Sequence, residues 1–237
     1  MGALVNSFLH LPASFSDAVV ALGPTVYWKM NETSGTTAID YSGGGHNGSV
    51  IGGVTVNSTA LLANGDKSYS YNGSSGYVNV ADGAYLDHQT AISGFCWMKT
   101  SATFTRALWD RDGGISNRGW QFRHNFGELT FVKVGGTGGT ITVTEASANV
   151  NNNAVHMVGF TYDGSNVRLY KDGAKIKTGA AAGDLPPAVD SDLRFGVNAS
   201  PGLTSWYSGT AGHAAFFAGR VLTDAEFSTL YTLGLTP

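Results

Sequence analysis

Residues 154–179 read AVHMVGFTYDGSNVRLYKDGAKIKTG, and this stretch decides the fold. Two Asp-Gly pairs, Asp163-Gly164 and Asp172-Gly173, flank the run SNVRLYK. Asp-Gly readily adopts the positive φ angles that tight hairpin turns need, so each pair predicts a chain reversal. Between them Val167, Leu169 and Lys171 fall on one face of an extended segment, because side chains alternate along a strand. Three antiparallel strands in a meander are the expected result.

Outward from the meander the same grammar repeats. Upstream, TVYWKM, KSYSYNGSSGYVNVA, ISGFCWMKT, TRALWDR, WQFRHN, ELTFVKV and TITVTEA are short apolar or aromatic runs bounded mainly by Gly or Asn. Tyr69, Tyr71, Tyr77 and Val80 mark pleated surfaces around a turn expected at Asn72-Gly73. Downstream come DLRFGVN and SGTAGHAAFFAG. Helices are expected only near the ends. SFSDAVVALGP (14–24) has Ser14 as cap with Asp17 three residues on, an apolar stripe of Ala18, Val19 and Leu22, and Gly23-Pro24 as a stop. LTDAEFSTLYTLG (222–234) has the capping pair Thr223 and Glu226, with Phe227 and Leu230 turned inward. Residues 1–13 are apolar but aperiodic and read as an arm.

Composition agrees. The 237 residues include 33 glycines, 6 prolines and 13% charged residues, and the aromatic share of 11% is enough to fill a core between two sheets. Net charge is −3, without a basic stripe, which argues against nucleic acid as a partner. Cys96 is the single cysteine and excludes an intrachain disulfide; within AISGFCWMK it reads as a small core residue. No run reaches the length of a membrane span, and Asn6, His10, Pro12 and Asp17 interrupt any signal-like segment.

These pieces, in this order, resemble the laminin-G-like branch of the concanavalin A-like lectin/glucanase jelly rolls. The resemblance rests on ALGPTVYWKMNETSGTTAIDYSGGGHNGSV, on YNGSSGYVNV as a second strand pair, on HMVGFTYDGSNVRLYKDG, and on LRFGVN with AFFAGRVLTDAEFSTLYTLG. It spans about residues 20–235 and implies an all-β, two-sheet antiparallel jelly-roll sandwich with a short helix at each end. Residues 1–22 would be an arm and helix used for attachment, and residues 23–237 the sandwich. Two departures stand out. AGHAAF, with Gly212 and His213, replaces an acidic strand before the closing helix, and the tryptophan usual near Val155-His156 is missing. FSDAVVALGPTVYWKMNETSGT is also similar to the start of laminin-G-like proteins of tailed-phage particles. That likeness implies a virion protein on capsid or tail, made in the host cytoplasm, docking to other virion proteins through residues 1–22, with homo-oligomerisation open.

Several residues are candidates for chemistry. A glycosidase on this fold needs neighbouring carboxylates on one strand. The pattern Glu-x-Asp-x-x-Glu is absent, and the closest pairs are Asp110/Asp112 and Asp190/Asp192, which read as a hairpin end and a loop entry. The expectation is therefore a protein without catalytic activity. A sugar site combines an exposed aromatic face with Asp, Asn or backbone amides. WDRDGGISNRGW supplies Trp109, Asp110, Arg111, Asn117, Arg118 and Trp120, and NASPGLTSWYSG supplies Asn198, Trp206 and Tyr207. Host-surface glycans are the corresponding partner. Asp40 admits two readings: a Ca²⁺ ligand with Glu32 and the carbonyls of the following glycine loop, or a side chain bonding turn amides. His46 reads as a solvated turn residue. A stand-alone bacterial carbohydrate-binding module is the alternative role, and a glycoside hydrolase a more remote one.

Overall fold

The computed structural model describes residues 14–88, 90–113, 118–186, 191–199 and 202–237. Helix α1 (Phe15–Ala21) leads into strands β1 (Val26–Trp28), β2 (Thr37–Ala38), β3 (Gly48–Ile51), β4 (Val54–Ser58), β5 (Ser68–Asn72) and β6 (Tyr77–Val80). Then follow β7 (Ile92–Lys99), β8 (Arg106–Arg111), β9 (Trp120–Asn125), β10 (Glu128–Lys133) and β11 (Ile141–Glu145). The meander is β12 (Val155–Tyr162), β13 (Asn166–Lys171) and β14 (Ala174–Ala180); β15 (Leu193–Phe195), β16 (Ser208–Ala218) and α2 (Asp224–Gly234) close the chain.

Two antiparallel sheets form the sandwich. The first runs β14-β13-β12-β7-β16-β5-β4 with β1 also on β16, and the second runs β11-β10-β9-β8-β15-β6-β3-β2. The predicted meander pairs as expected, and Asp172 and Gly173 both take positive φ (50° and 77°) in a two-residue turn. The Asn72-Gly73 turn differs from expectation. β5 and β6 do not pair; they lie in different sheets, as do β3 and β4. Between β3 and β6 the chain thus crosses the sandwich twice, and the two corners stack so closely that a Cβ on Gly76 would meet the Gly53 carbonyl oxygen at 2.5 Å. Local turn chemistry does not distinguish a hairpin from a corner, because both need a left-handed glycine.

Trp28, Trp109, Trp120, Phe131, Phe160, Phe195 and Phe216 are buried between the sheets. Trp109 stacks on Trp28 at 5.7 Å and meets Phe195 edge-on at 5.2 Å, while Trp120 stacks on Phe216 at 5.2 Å. Such pairs add roughly 0.5–1.5 kcal/mol each beyond area burial. Cys96 is buried, as the sequence indicates.

The outer face of the first sheet is covered as well. Phe15 and Val19 of α1, Phe227 and Leu230 of α2, and Leu61 and Leu62 pack against Tyr27, Phe95, Trp97, Met157, Tyr170 and Phe217. Both helices start as predicted: Ser14 Oγ accepts from the Asp17 amide (3.1 Å), and Thr223 and Glu226 cap reciprocally. Helix α1 is therefore part of the folded domain, packed on the sheet rather than extended from it.

The two departures have structural counterparts. At the site of the missing tryptophan, His156 Nδ1 lies 2.8 Å from Asp172 Oδ2 and clips β12 to the turn between β13 and β14. In AGHAAF, His213 takes φ 47° in a bulge where the edge of β16 changes partner from β5 to β1. No helix among the described residues is long and apolar enough to cross a membrane.

Candidate functional site

The two helices pack on the first sheet, and neither covers the outer face of the second. Its register sets a row of directly paired residues across five strands: Ser49, Asn79, Arg194, Asp110 and Gln121. Paired residues share a face, and the alternate positions Val78, Val80, Leu193, Phe195, Trp109, Trp120 and Phe122 are committed to the core. The pleat thus turns a polar row outward.

The row is cross-linked. Asp192 accepts from Asn79 Nδ2 (3.0 Å) and from the Asp82 amide (3.0 Å), with Arg194 at 3.4 Å. Asp112 is held by Arg118 through two bonds (3.1 and 2.7 Å) and by Gln121 Nε2 (2.8 Å). Arg111 points the other way and clamps the 82–87 segment, bonding Asp82, Asp87 and the Leu86 carbonyl. A cleft of about 220 Å³ opens above the row, lined by Asp112, Gly113, Ser191, Asp192, Arg194 and Ala199.

Asp110 lies beneath that cleft. Its side chain is fully buried; Oδ1 accepts weak bonds from the Asp112 and Ala199 amides (3.3 Å each), and Oδ2 has no partner. Burial pushes its pKa up to about 8, with the Asp112 carboxylate adding to the effect. Burial thus favours the neutral form of Asp110.

Along β6 the next outward residue from Asn79 is Tyr77, two positions back. Trp206 packs edge-on against it at 5.7 Å and is half-buried. An aromatic corner thus adjoins the polar row.

The residues expected to bind a ligand do not all stay together at this face. Trp109, Trp120 and Tyr207 are core side chains, at most 2% exposed, with no face left for a sugar. Strand pairing buries them: Trp109 and Trp120 alternate with the outward Asp110 and Gln121, and the Tyr207 hydroxyl donates to the Lys99 and Thr210 carbonyls. Asn198 is 7% exposed and forms a β-bridge with Thr204 beside the cleft. Trp206 alone keeps an accessible aromatic surface. Asn117 and Asp190 lie outside the described residues, as does the arm 1–13. Asp192 was read as part of a loop entry, and Arg194, Asn79 and Tyr77 were not foreseen as residues of a site. Their signal was present in YVNV and LRF, where a polar or amphipathic residue alternates with apolar ones.

Asp40 and Glu32 are engaged elsewhere. Asp40 Oδ1 accepts from the Tyr27 and Ser42 amides (2.9 Å each), and Oδ2 from Ser42 Oγ (2.7 Å) and the His46 amide (2.8 Å). Glu32 accepts from the Ile39 amide (2.8 Å) and the Tyr69 hydroxyl (2.5 Å). A cation at either carboxylate would displace protein donors. Among the described residues no group of three or more His, Cys, Asp or Glu side chains is arranged to hold a metal ion. His46 is half-buried and stacks on Tyr85 at 3.6 Å, rather than projecting into solvent.

The family profile described as the concanavalin A-like lectin/glucanases superfamily matches residues 72–228, well over half of the chain. The chain belongs to this superfamily. Among solved structures, this concanavalin A-like chain is similar to the binding domain of Paraclostridial Mosquitocidal Protein 1, with a TM-score of 0.68 and 14% identity over 90% of this chain and 52% of that one. It is also similar to the binding domain of botulinum neurotoxin serotype D (TM-score 0.67, 14% identity, 92% and 52% covered). The serotype D ligand-binding domain in complex with N-acetylneuraminic acid gives a TM-score of 0.66 at 13% identity, with 92% and 52% covered. The chain spans about half the length of these structures, and at such identities the likeness concerns the concanavalin A-like fold alone. No curated protein sequence matches the chain.

Proposed function

We propose that this protein is a non-catalytic adhesive module that binds glycans on the outer face of its second sheet. The observation that carries this reading is the cleft edged by Asp192 and Arg194, with Asn79 bonded to Asp192, beside the Tyr77/Trp206 corner. Hydroxyl-rich ligands need several fixed donors and acceptors next to an aromatic surface, and a strand-borne row holds them in place at low entropic cost. Binding of N-acetylneuraminic acid by a structurally similar domain is in keeping with this use of the fold.

The same face disfavours catalysis. Hydrolysis of a glycosidic bond needs two carboxyl groups that reach the substrate. Asp110 is shut away from solvent, and Asp112 is pinned by Arg118 and Gln121. The setting proposed is a tailed-phage particle, with the chain preceding α1 as the attachment segment and the sandwich outward. Support for the setting is the likeness of the N-terminal sequence.

A glycan array probed with the intact protein tests the binding reading. Specific binding that falls at least tenfold in both Trp206→Ala and Arg194→Ala is expected, without turnover of the bound oligosaccharide. Binding untouched by both substitutions, or release of reducing ends, would overturn it.

A further inference from the structure

The other end of β8 carries a second feature. Phe104 and Phe126 are the two most exposed large hydrophobic side chains among the described residues, at 62% and 61%, and they touch each other with ring centroids 6.0 Å apart. Arg106 lies 5.7 Å from the Phe104 ring centre, and its Nε has no hydrogen-bond partner. Six residues of strand, about 20 Å, separate Arg106 from Asp112 at the cleft.

Phe126 occupies an unfavourable backbone position. It is the first residue of the two-residue turn Phe126-Gly127 between β9 and β10, with φ 50°. Asn, Asp or Gly sits easily there, whereas a bulky side chain with positive φ is a genuine outlier. Among the described residues the ring gains Phe104 alone as an aromatic contact in return. The platform is nevertheless held in place. Thr105 Oγ1 donates to Asn125 Oδ1 (2.6 Å), the Val150 amide to the Gly127 carbonyl (3.0 Å), and Asn151 Nδ2 to the Ala102 carbonyl (3.4 Å).

The size and charge of this tip select among occupants. Two rings surrounded by Asn and Thr fall short of the roughly 800 Å² per side that a stable protein interface buries. A membrane anchor would call for a basic surround, and here one arginine stands in a chain of net charge −3. A pyranose ring fits: its C–H face lies against aromatic carbon, and a carboxylate on the sugar meets the guanidinium.

We propose that Phe104, Phe126 and Arg106 form a second binding site, for an acidic sugar residue such as a uronic or sialic acid, at the end of the sandwich opposite the cleft. The proposal rests on the glycan-binding reading and adds to it a place and a charge preference. Two sites on one rigid domain raise the effective concentration for a long or repeating glycan.

The intact protein is assayed on an array of neutral, uronic-acid and sialic-acid oligosaccharides, and hits are titrated calorimetrically. Phe126→Asn and Phe104→Ser are expected to weaken acidic glycans at least tenfold. Arg106→Gln should remove the preference for acidic over neutral ligands. Phe126→Asn suits the left-handed turn, so its melting temperature should match or exceed the wild type, separating lost binding from lost folding. Acidic-glycan binding unchanged in Phe126→Asn and Phe104→Ser overturns the proposal; if Trp206→Ala and Arg194→Ala then abolish binding, the sheet-face reading survives alone. Loss in the phenylalanine variants with retention in Trp206→Ala and Arg194→Ala supports this site and removes the other. Failure of the wild type to bind any oligosaccharide overturns both.

Discussion

The Tyr27 hydroxyl and His213 Nδ1 lie 2.7 Å apart in a pocket that is sealed from water. Ser16 Oγ reaches the same hydroxyl at 3.2 Å, and His213 Nε2 stands 3.3 Å from Asp66 Oδ2 without hydrogen-bond alignment. Four segments thus converge: α1, β1, the bulge of β16 and the loop before β5. Tyr27→Phe would strand a buried histidine nitrogen. A loss of about 1–3 kcal/mol is expected from urea unfolding, with the fold retained.

Burial lowers the pKa of His213, although Asp66 pulls the other way. His124 is lowered further, to about 4, by burial with Arg106 contributing. Both histidines are held below their unfolded value near 6.5, so both favour the folded state only while neutral. Stability should be fully present above pH 6.5 and decline as pH falls towards 4, by roughly 3 kcal/mol from His124 alone. Calorimetric melting temperatures across pH 4–7 would check this; a flat profile would refute it.

Both ring nitrogens of His124 lack hydrogen-bond partners. Replacing a buried, unsatisfied polar side chain by an apolar one of similar volume is neutral or stabilising. His124→Leu should therefore match or exceed the wild type at pH 7, and should lose most of the acid sensitivity seen below pH 6.5.

Asp110 has the opposite sign. Its folded pKa, raised to about 8, exceeds the unfolded value of about 4. Its contribution is complete below pH 4 and is lost as pH rises through 8. Asp110→Asn keeps the shape and removes the ionisation. The variant should gain on the wild type by several kcal/mol between pH 4 and pH 9 in paired denaturant titrations.

The tryptophans separate core from surface. Trp109→Ala empties a site between Trp28, Phe195 and Phe216 and should cost about 3–5 kcal/mol. Trp206→Ala removes a half-buried ring that packs on Tyr77, and should cost about 1 kcal/mol or less while weakening glycan binding. Equal destabilisation by the two would contradict the assignment of Trp206 to an accessible corner.

The sequence by itself determined the elements and the class of fold. Period-two alternation, Asp163-Gly164 and Asp172-Gly173, the capping pairs at Ser14 and Thr223, and the scarcity of charge are local properties, and each local preference agreed with the final structure. Which sheet each strand joins was decided only by tertiary packing. Asn72-Gly73 carries the same turn chemistry in a hairpin or a corner, and only the partners of β5 and β6 distinguish the two. The same holds for the site. Trp109 ends an apolar run and Trp206 lies in a Gly- and Ser-rich stretch, and both stood as binding candidates; pairing with β15 and β9 sends the first into the core, while the segment before β16 leaves the second half-exposed. Asp110, Arg194 and Asn79 are 31 to 115 residues apart in the chain. Hydrogen-bond register, which depends on strands distant in sequence, is what sets them side by side.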